Sequence, residues 1–361
     1  MDEVGVVGQG ARYVDVLAWK TDADLDGLVG WRGAAAHVDV VHTYNERPNR
    51  LARLVQGVDS NDVRERRIRL YQAWIEQGFG GGASLTAGVY DFKTEFSKLG
   101  AANQLVNPSF GIGPELAGSG PMGAPVYPSS SLGARLTLRP SRLVYVMAAA
   151  LSAHPGAVGE IGGADTSFGD GVLLIGEAGL QDPGKVAVGA WTYTRSRPPG
   201  SAFALTGYPA TGVSHGIYAA VEQTLARSAD GSGPELSLFA RGGVSGGDAS
   251  PFAASWQAGL RLARPLAGRP ESSLTVGVAH ASLTDGFRRS RALNRRDPGG
   301  GETVFELSYA DKPLPFLTVQ PDVQWSPRAA GAPFAHGQLI IGIRATVLLD
   351  TSRDLPDDGR P

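Results

Sequence analysis

The sequence contains no cysteine, no long apolar run and almost no excess of charge of either sign. Without cysteine the chain has no disulfide framework, no zinc ribbon and no thiol nucleophile. No apolar run approaches the roughly 20 residues that a membrane-spanning helix needs, which excludes a helical membrane protein. The formal net charge of -2 leaves no basic surplus to hold a phosphate backbone, so nucleic acid is not a predicted partner.

The chain does contain frequent turn residues and regular alternation of apolar and polar side chains. Its 361 residues include 50 glycines and 24 prolines, which separate one segment from the next. Between 131 and 139 apolar residues alternate with glycine, arginine and threonine, and alternation returns in 302–312, 315–326 and 337–349. Such segments have about the length with which a tilted strand crosses a bilayer. A soluble β-sandwich also alternates, so this pattern alone leaves both folds open.

The lengths of the connections favour a membrane barrel. Tight connections rich in Gly, Pro and Asp alternate along the chain with connections that are mostly longer. Outer-membrane barrels pair short periplasmic turns with long extracellular loops in this succession. The sequence therefore predicts an all-β, antiparallel transmembrane β-barrel of porin type. Its fifteen predicted strands are 11–22, 33–43, 64–77, 83–92, 131–139, 142–152, 170–180, 185–196, 212–226, 235–244, 252–264, 271–283, 302–312, 315–326 and 337–349.

The same alternation of connections predicts one further strand. If the C-terminus lies in the periplasm, alternation of short and long connections back along the chain makes the strand at 11–22 begin on the extracellular side. A free N-terminus is not expected there. Single-chain bacterial barrels have an even number of strands, so a sixteen-stranded barrel is expected, with fifteen strands in this chain. Residues 1–10 are then predicted to be a non-native leader or a loop, 11–349 the barrel, and 350–361 a disordered tail.

Large aromatic residues lie towards the ends of predicted strands. We interpret them as girdles at the level of the lipid headgroups. Packing inside a protein core is the alternative. The residues are Trp74, Tyr90, Trp191, Tyr193, Trp256 and Trp325.

Two neighbouring segments carry a resemblance to a known family. The strand end Gly88-Val-Tyr-Asp-Phe-Lys-Thr-Glu-Phe96 is followed by the loop Asn107-Pro-Ser-Phe-Gly-Ile-Gly-Pro-Glu115. With further matches such as Arg69-Leu-Tyr-Gln-Ala-Trp-Ile-Glu-Gln77 and Leu317-Thr-Val-Gln-Pro-Asp-Val-Gln324, the chain resembles the carbohydrate-selective porins of the OprB family over about residues 11–349. The resemblance implies an outer-membrane pore for passive diffusion of mono- or oligosaccharides.

The chain departs from that family at both ends. Family members carry a signal peptide, a Trp-Gly-Gly-x-Arg segment and a first strand ahead of what is residue 11 here, which predicts a misplaced start codon or a gene fragment. Members usually end on an aromatic residue that closes the last strand, whereas this chain continues from Leu349 to Pro361.

A passive pore is expected to act through polar side chains that point into its lumen. Arginines mixed with carboxylates can form hydrogen bonds to sugar hydroxyls, and weak contacts at several points let the solute leave. For each residue the alternative is an ordinary hydrated charge paired with a neighbour. The predicted channel residues are Arg69, Arg135, Glu177, Glu222, Arg241, Arg261, Glu306, Asp322 and Arg344.

The 93–130 loop is long enough to fold inward and narrow the pore. Lys93, Glu95 and Glu115 are its predicted constriction residues. A loop that only covers neighbouring strands is the alternative.

Two short motifs offer competing interpretations. Gly212-Val-Ser-His-Gly216 matches the nucleophile motif G-x-S-x-G, with Ile217–Ala226 drawn as a helix and His336 as a base. The flanks alternate, whereas a nucleophile elbow needs buried parallel strands and helices. Glu3–Gly10 imitates a dinucleotide-binding turn, but Tyr13 stands where the third glycine or alanine belongs. The chain is therefore not predicted to be an enzyme.

The histidines show no spacing typical of metal ligands, so neither a metal nor a cofactor is predicted. Sugars as transported solutes and outer-membrane lipid are the expected partners, and a homotrimer and a monomer are both open. A general or differently selective pore, or a non-conducting surface barrel, is the alternative function. The histidines are His37, His42, His154, His215, His280 and His336.

Overall fold

Fifteen strands form one antiparallel sheet in which every strand pairs with its neighbour in the sequence. The computed structural model describes residues 10–63, 66–120, 123–156, 167–196, 212–229, 231–246, 250–293, 299–331 and 337–350. The predicted all-β class and number of strands are confirmed. The strands are β1 (Val14–Asp24), β2 (Ala34–Asn45), β3 (Arg67–Gly80), β4 (Ala83–Tyr90), β5 (Ser131–Leu138), β6 (Val144–Ser152), β7 (Val172–Gln181), β8 (Lys185–Tyr193), β9 (His215–Arg227), β10 (Glu235–Ser245), β11 (Phe252–Ala263), β12 (Ser273–Leu283), β13 (Gly301–Leu314), β14 (Leu317–Ser326) and β15 (Gln338–Val347).

Helical segments are short and lie in the connections. Within the described ranges, no helix is both long and apolar enough to span a bilayer. The segments are α1 (Leu25–Val29), α2 (Pro48–Ala52), a 3-10 turn (Phe92–Thr94), α3 (Pro108–Gly111), α4 (Pro114–Ala117) and α5 (Asp285–Leu293).

The alternation in the sequence sorts side chains onto two faces of the sheet. On β5, Arg135 and Thr137 are buried on the inner face, while Leu136 and Leu138 are exposed on the outer face. Backbone groups along the strands pair with those of the next strand, which satisfies them in an apolar environment. The sorting repeats on β14, where Gln320, Asp322 and Gln324 are buried and Val323 and Trp325 are exposed.

The connection between β3 and β4 shows how the tight turns are made. Gly80, Gly81 and Gly82 have φ angles of 76°, 60° and 80°, in the left-handed region that favours glycine. A Cβ on Gly82 would stand 2.2 Å from the carbonyl oxygen of Arg139. The tight connection predicted at 78–82 is confirmed, although β3 continues three residues further than predicted.

A β-bulge in β3 decides which of its residues face inward. The pairing with β2 shifts between Val40, opposite Leu70, and Asp39, opposite Gln72. The extra residue, Tyr71, is itself buried. A bulge of this kind changes the alternation phase, so Arg69 before it and Gln72 after it are both buried on the inner face.

A hydrophobic core lies between the inner face and the connection from β4 to β5. The prediction that Tyr90, Trp191 and Tyr193 form a membrane girdle is wrong, because all three are buried in this core at 3 % exposure or less. Trp191 and Tyr193 follow the inward phase of β8, whose outward positions are taken by exposed valines. Trp256 and Trp325 are exposed at 47 % and 48 % on the outer face, which is where a girdle requires them.

The G-x-S-x-G segment has no nucleophile elbow. Residues 215–227 form strand β9, so the helix drawn at 217–226 is wrong. Ser214 is buried and its Oγ accepts a hydrogen bond from the backbone N–H of Gly120 at 3.0 Å. His336, and nearly all of the predicted leader and tail at 1–10 and 350–361, lie outside the described residues.

Candidate functional site

Residues 91–120 and 123–130, called the inner loop below, turn inward from the end of β4 and run across the inner face of the sheet. Asp91 joins the two ends of this loop. Its Oδ2 accepts hydrogen bonds from the Tyr71 hydroxyl at 2.5 Å and from the backbone N–H of Tyr127 at 3.1 Å. Its Oδ1 accepts from the backbone N–H of Lys93 at 2.8 Å. Burial raises the pKa of Asp91, while the charge of Lys93 and these hydrogen bonds act in the opposite direction.

Three carboxylates of the sheet, called the wall carboxylates, hold the backbone of the inner loop. Loop N–H groups donate to Glu177 on β7, Glu222 on β9 and Glu306 on β13. The bonds run from Ser97 N to Glu177 (2.7 Å), from Ala101 N to Glu222 (2.9 Å), and from Val106 N and Asn107 N to Glu306 (2.5 and 2.9 Å).

Arg241 on β10 holds the same loop through its carbonyl groups. Its guanidinium is buried, and its Nε donates to Gln257 Oε1 at 2.9 Å. The Nη atoms donate to Ser97 O at 2.7 Å and Ser109 O at 2.8 Å, with longer bonds of 3.3 Å to two neighbouring carbonyls. One guanidinium therefore ties two separated parts of the inner loop to the sheet.

The predicted constriction residues differ in where they lie. Glu115 is buried against β11 and accepts a hydrogen bond from the Ser255 hydroxyl, and burial raises its pKa. Burial lowers the pKa of Lys93, which lies against Gly111 within the loop. Glu95 is partly exposed and its Oε1 lies 3.4 Å from Arg135 Nη1.

A second set of charges lies on the strands near the two edges of the sheet and is called the polar strip. It consists of Asp39 on β2, Arg69 on β3, Asp322 on β14 and Arg344 on β15. Arg69 donates to the carbonyl oxygen of Pro128 in the inner loop at 3.0 Å. Near each edge of the sheet the strip thus has one arginine and one carboxylate.

Two loop residues face the polar strip. Asp59, in the connection from β2 to β3, pairs with Arg344 at 3.3 Å. Burial raises the pKa of Tyr127 to about 12, the positive charge of Arg69 lowers it, and the carboxylates of Asp59 and Asp39 raise it. The bond from Arg69 to Pro128 places the strip next to the end of the inner loop at residues 127–128.

A recess of about 320 Å³ opens towards the short-turn end of the strands. In it, the rings of His37 and Trp74 stack with their centroids 4.9 Å apart. Arg135 donates to Glu76 at 2.9 Å and to Thr86 at 3.0 Å. The buried hydroxyl of Tyr90 has no hydrogen-bond partner among the residues that the structure describes.

A larger cavity of about 690 Å³, called the vestibule, opens at the long-loop end. Its lining comes from the connection between β2 and β3, from helices α3 and α4 of the inner loop, and from the loops that precede β11 and follow β12 and β14. Vestibule and recess therefore lie at opposite ends of the sheet, with the inner loop between them.

A family model described as carbohydrate-selective porin, OprB family, matches residues 8–349. The chain belongs to this family. The porin is therefore an outer-membrane protein through which carbohydrates diffuse selectively, and its family and fold are those of a channel. The resemblance found in the sequence is confirmed, and the periplasmic end of the strands is the one with short turns.

Solved porin structures have the same fold. The high-pH structure of Pseudomonas putida OprB is similar with a TM-score of 0.80 and 21% identity, over 93% of this chain and 88% of that chain. Its low-pH structure gives a TM-score of 0.56 and 18% identity, over 92% and 86%. The anion-selective porin from Comamonas acidovorans gives 0.51 and 10%, over 91% and 87%. A search of the curated proteins found no match.

The predicted channel residues of this porin fall into separate groups. Glu177, Glu222, Arg241 and Glu306 contact the inner loop, Arg69, Asp322 and Arg344 belong to the polar strip, and Arg135 lies in the recess. Arg261, half-buried on β11, makes no hydrogen bond or ion pair with any described residue. In the described part of the chain, no cluster of three or more His, Asp or Glu side chains could hold a metal ion.

Several residues of the porin were missed in the sequence. Glu302 accepts backbone N–H bonds from Val55, Gln56 and Ala330 at 2.8–3.1 Å. It lies four residues before Glu306 in the same alternation phase, and that phase could have revealed it. Gln104 donates to the carbonyl oxygen of Ser308 at 2.8 Å. It lies in a loop without periodicity, so the sequence held no signal for it.

Proposed function

We propose that mono- and oligosaccharides pass between the inner loop and the polar strip, entering through the vestibule and leaving past the recess. The observation that carries this proposal is the attachment of the inner loop. Glu177, Glu222, Arg241 and Glu306 hold most of it against β7–β13. It meets the strands that carry the polar strip at fewer points, among them the bond from Arg69 to Pro128 and the bond from Asn107 to Gln324. The strip on β2, β3, β14 and β15 then forms the opposite wall of the narrowest passage.

The chemistry of the strip suits sugars. A sugar hydroxyl both donates and accepts, so guanidinium and carboxylate groups next to each other satisfy it in either role. Arg69 and Arg344 supply donors, and Asp39 and Asp322 supply acceptors. Because each contact is weak and there are several, a sugar is retarded without being trapped.

The proposal also covers catalysis, contact with lipid and the oligomeric state. Passage needs no bond to be made or broken, so this porin acts without catalysis. The exposed apolar side chains of the outer face, such as Leu136 and Val323, support contact with lipid. Each chain holds its own passage, so a monomer and a homotrimer could both use this route.

Planar-bilayer recording tests the proposal. The wild-type protein is expected to give conductance steps that maltose reduces in a concentration-dependent way. Arg344→Gln removes a donor of the strip without touching a bond to the inner loop, and should raise the half-blocking maltose concentration about three- to tenfold, as expected for one hydrogen bond. Arg32→Gln, an exposed arginine in the turn between β1 and β2, is the matched control and should block like wild type.

The outcomes separate the alternatives. Conductance that no sugar reduces would point to a general or differently selective pore. Absence of any conductance in a folded preparation would support the non-conducting surface barrel. An unchanged half-blocking concentration in Arg344→Gln would remove the polar strip from the sugar path.

A further inference from the structure

More positive than negative side chains line the vestibule. Among the residues that the structure describes, four arginines line it, Arg47, Arg50, Arg53 and Arg291, together with a single carboxylate, Asp62. Asp62 is already engaged, because one oxygen lies 3.4 Å from Arg47 Nε and the other accepts the backbone N–H of Asn49 at 2.7 Å. The lining therefore keeps an excess of positive charge, unlike the polar strip.

Arg50 and Arg53 are the available cations of this cavity. Both are described, and neither guanidinium has a hydrogen bond or an ion pair with any described residue. They lie on or beside α2, whose flanking residues Arg47 and Arg53 have φ angles of 62° and 55°. Non-glycine residues rarely adopt this conformation, and it is found where surrounding structure fixes the backbone.

The backbone at Arg53 is held from the other side of the cavity. Its carbonyl oxygen lies only 2.1 Å from the position that a Cβ on Gly331 would occupy, so the loop after β14 packs closely on it. Arg50 is carried on the same short helix, whose Asn49 accepts two further backbone bonds through Oδ1 from Val58 and Asp59, at 2.6 and 3.0 Å. The two guanidinium groups thus extend from an ordered backbone.

The floor of the vestibule is apolar. Pro108, Ile112 and Pro114 of the inner loop and Phe252 of β11 supply most of it. A cavity of about 690 Å³ is within the range of about 300–1,000 Å³ found for small-molecule sites. An apolar surface next to guanidinium donors suits a ligand whose ring has one hydrophobic face and carries an anionic substituent.

We infer that the vestibule binds anionic saccharides, whose carboxylate or phosphate group contacts Arg50 and Arg53 while the sugar ring lies on the apolar floor. Guanidinium groups form strong, directional bonds to either oxyanion. Neutral sugars can accept only weaker hydrogen bonds from the two arginines, without the attraction between opposite charges. The inference rests on the proposed function only for the step from binding to transport.

Sugar block of the reconstituted porin tests the inference from the extracellular side. Glucuronate carries the carboxylate, glucose 6-phosphate carries the phosphate, and glucose is the neutral reference. We expect the charged sugars to block at concentrations about tenfold lower than glucose, a difference that one or two charge-assisted bonds supply. In 1 M salt the preference should shrink, because screening then acts within about 3 Å.

The decisive variant is Arg50→Gln/Arg53→Gln. It should abolish the preference for the charged sugars and leave block by glucose unchanged. The matched control is Arg32→Gln/Arg142→Gln, which removes the same charge from exposed positions in the short turns, at the other end of the pore. Equal block by glucuronate, glucose 6-phosphate and glucose in the wild type, or a preference that survives in the first double variant, would overturn the inference.

Calorimetric titration of the detergent-solubilised protein with the same three sugars separates this inference from the proposed function. Binding of the charged sugars that Arg50→Gln/Arg53→Gln removes, in a protein that does not conduct, would support the vestibule site and refute transport. Conductance blocked by maltose, without preferential binding of either charged sugar, would support transport and refute the vestibule site. A preference for only one of the two charged sugars identifies the oxyanion.

Discussion

Replacing Glu306 by alanine should detach the middle of the inner loop from the wall of the pore. This carboxylate is buried at 1% exposure and accepts the backbone N–H groups of Val106 and Asn107 at 2.5 and 2.9 Å. Each buried N–H group left without its acceptor costs about 1–3 kcal/mol, so losing both bonds costs about 2–6 kcal/mol of local stability. The change leaves two buried donors without an acceptor.

Hydrogen exchange followed by mass spectrometry measures this effect directly. Because about 1.4 kcal/mol corresponds to a tenfold change in an equilibrium constant, exchange around Val106 and Asn107 should accelerate by at least about thirtyfold. Glu222→Ala loses only the bond from Ala101 and should accelerate exchange there by about half as much on a logarithmic scale. Glu306→Gln keeps one acceptor oxygen and should fall between wild type and Glu306→Ala.

A matched control lies at the short-turn end. Glu235 on β10 pairs with Arg227 at 2.8 Å and Arg264 at 3.4 Å, away from the inner loop. Glu235→Ala should leave exchange at residues 105–108 as in wild type. If Glu306→Ala also leaves exchange at Val106 and Asn107 unchanged, the wall carboxylates do not hold the loop and the reasoning behind the passage is refuted.

Two further predictions concern the inner loop and its core. Because burial raises the pKa of Glu115 above 4.5, the folded protein binds this proton more readily than the unfolded chain. The contribution of Glu115 to stability is therefore largest at low pH and declines as pH rises past about 4.5. The melting temperature of Glu115→Gln should lack that decline. Equal pH profiles for the variant and the wild type would contradict the prediction. Trp191→Ala should lower the free energy of unfolding in urea by about 3–5 kcal/mol, because it leaves a cavity in the core. Trp256→Ala, on the exposed outer face, should lower it much less. Equal losses in the two variants would contradict the assignment of these residues to opposite faces.

The strands could be predicted because their signal is local. A tilted strand with lipid on one side and polar contacts on the other needs a side-chain period of two, and the sequence displays it. The ends of the strands could be predicted less closely than their centres. For example, β3 continues to Gly80, three residues beyond its predicted end. The bulge at Tyr71 had no signal of its own, because it depends on how β2 pairs with β3.

The inner loop could not be predicted beyond its length. Its contacts join residues such as Val106 and Glu306, which are 200 positions apart, and no period or motif encodes such a pairing. The aromatic residues were misplaced for a different reason. Their position along a strand does not show which face they are on, whereas the outward-facing Val186 and Val188 require Trp191 to face inward. Phase decides between lipid and core, whereas position along the strand does not.

The attachment of the inner loop also has a consequence for how the pore is assembled. The loop leaves the sheet after β4, but its partners Glu306 and Gln324 belong to β13 and β14. During synthesis and insertion the loop is made long before the surfaces that hold it. Its backbone N–H groups must stay with water or transient partners until the C-terminal strands arrive. On the proposed path, narrowing of the channel by the inner loop is therefore one of the last events of assembly.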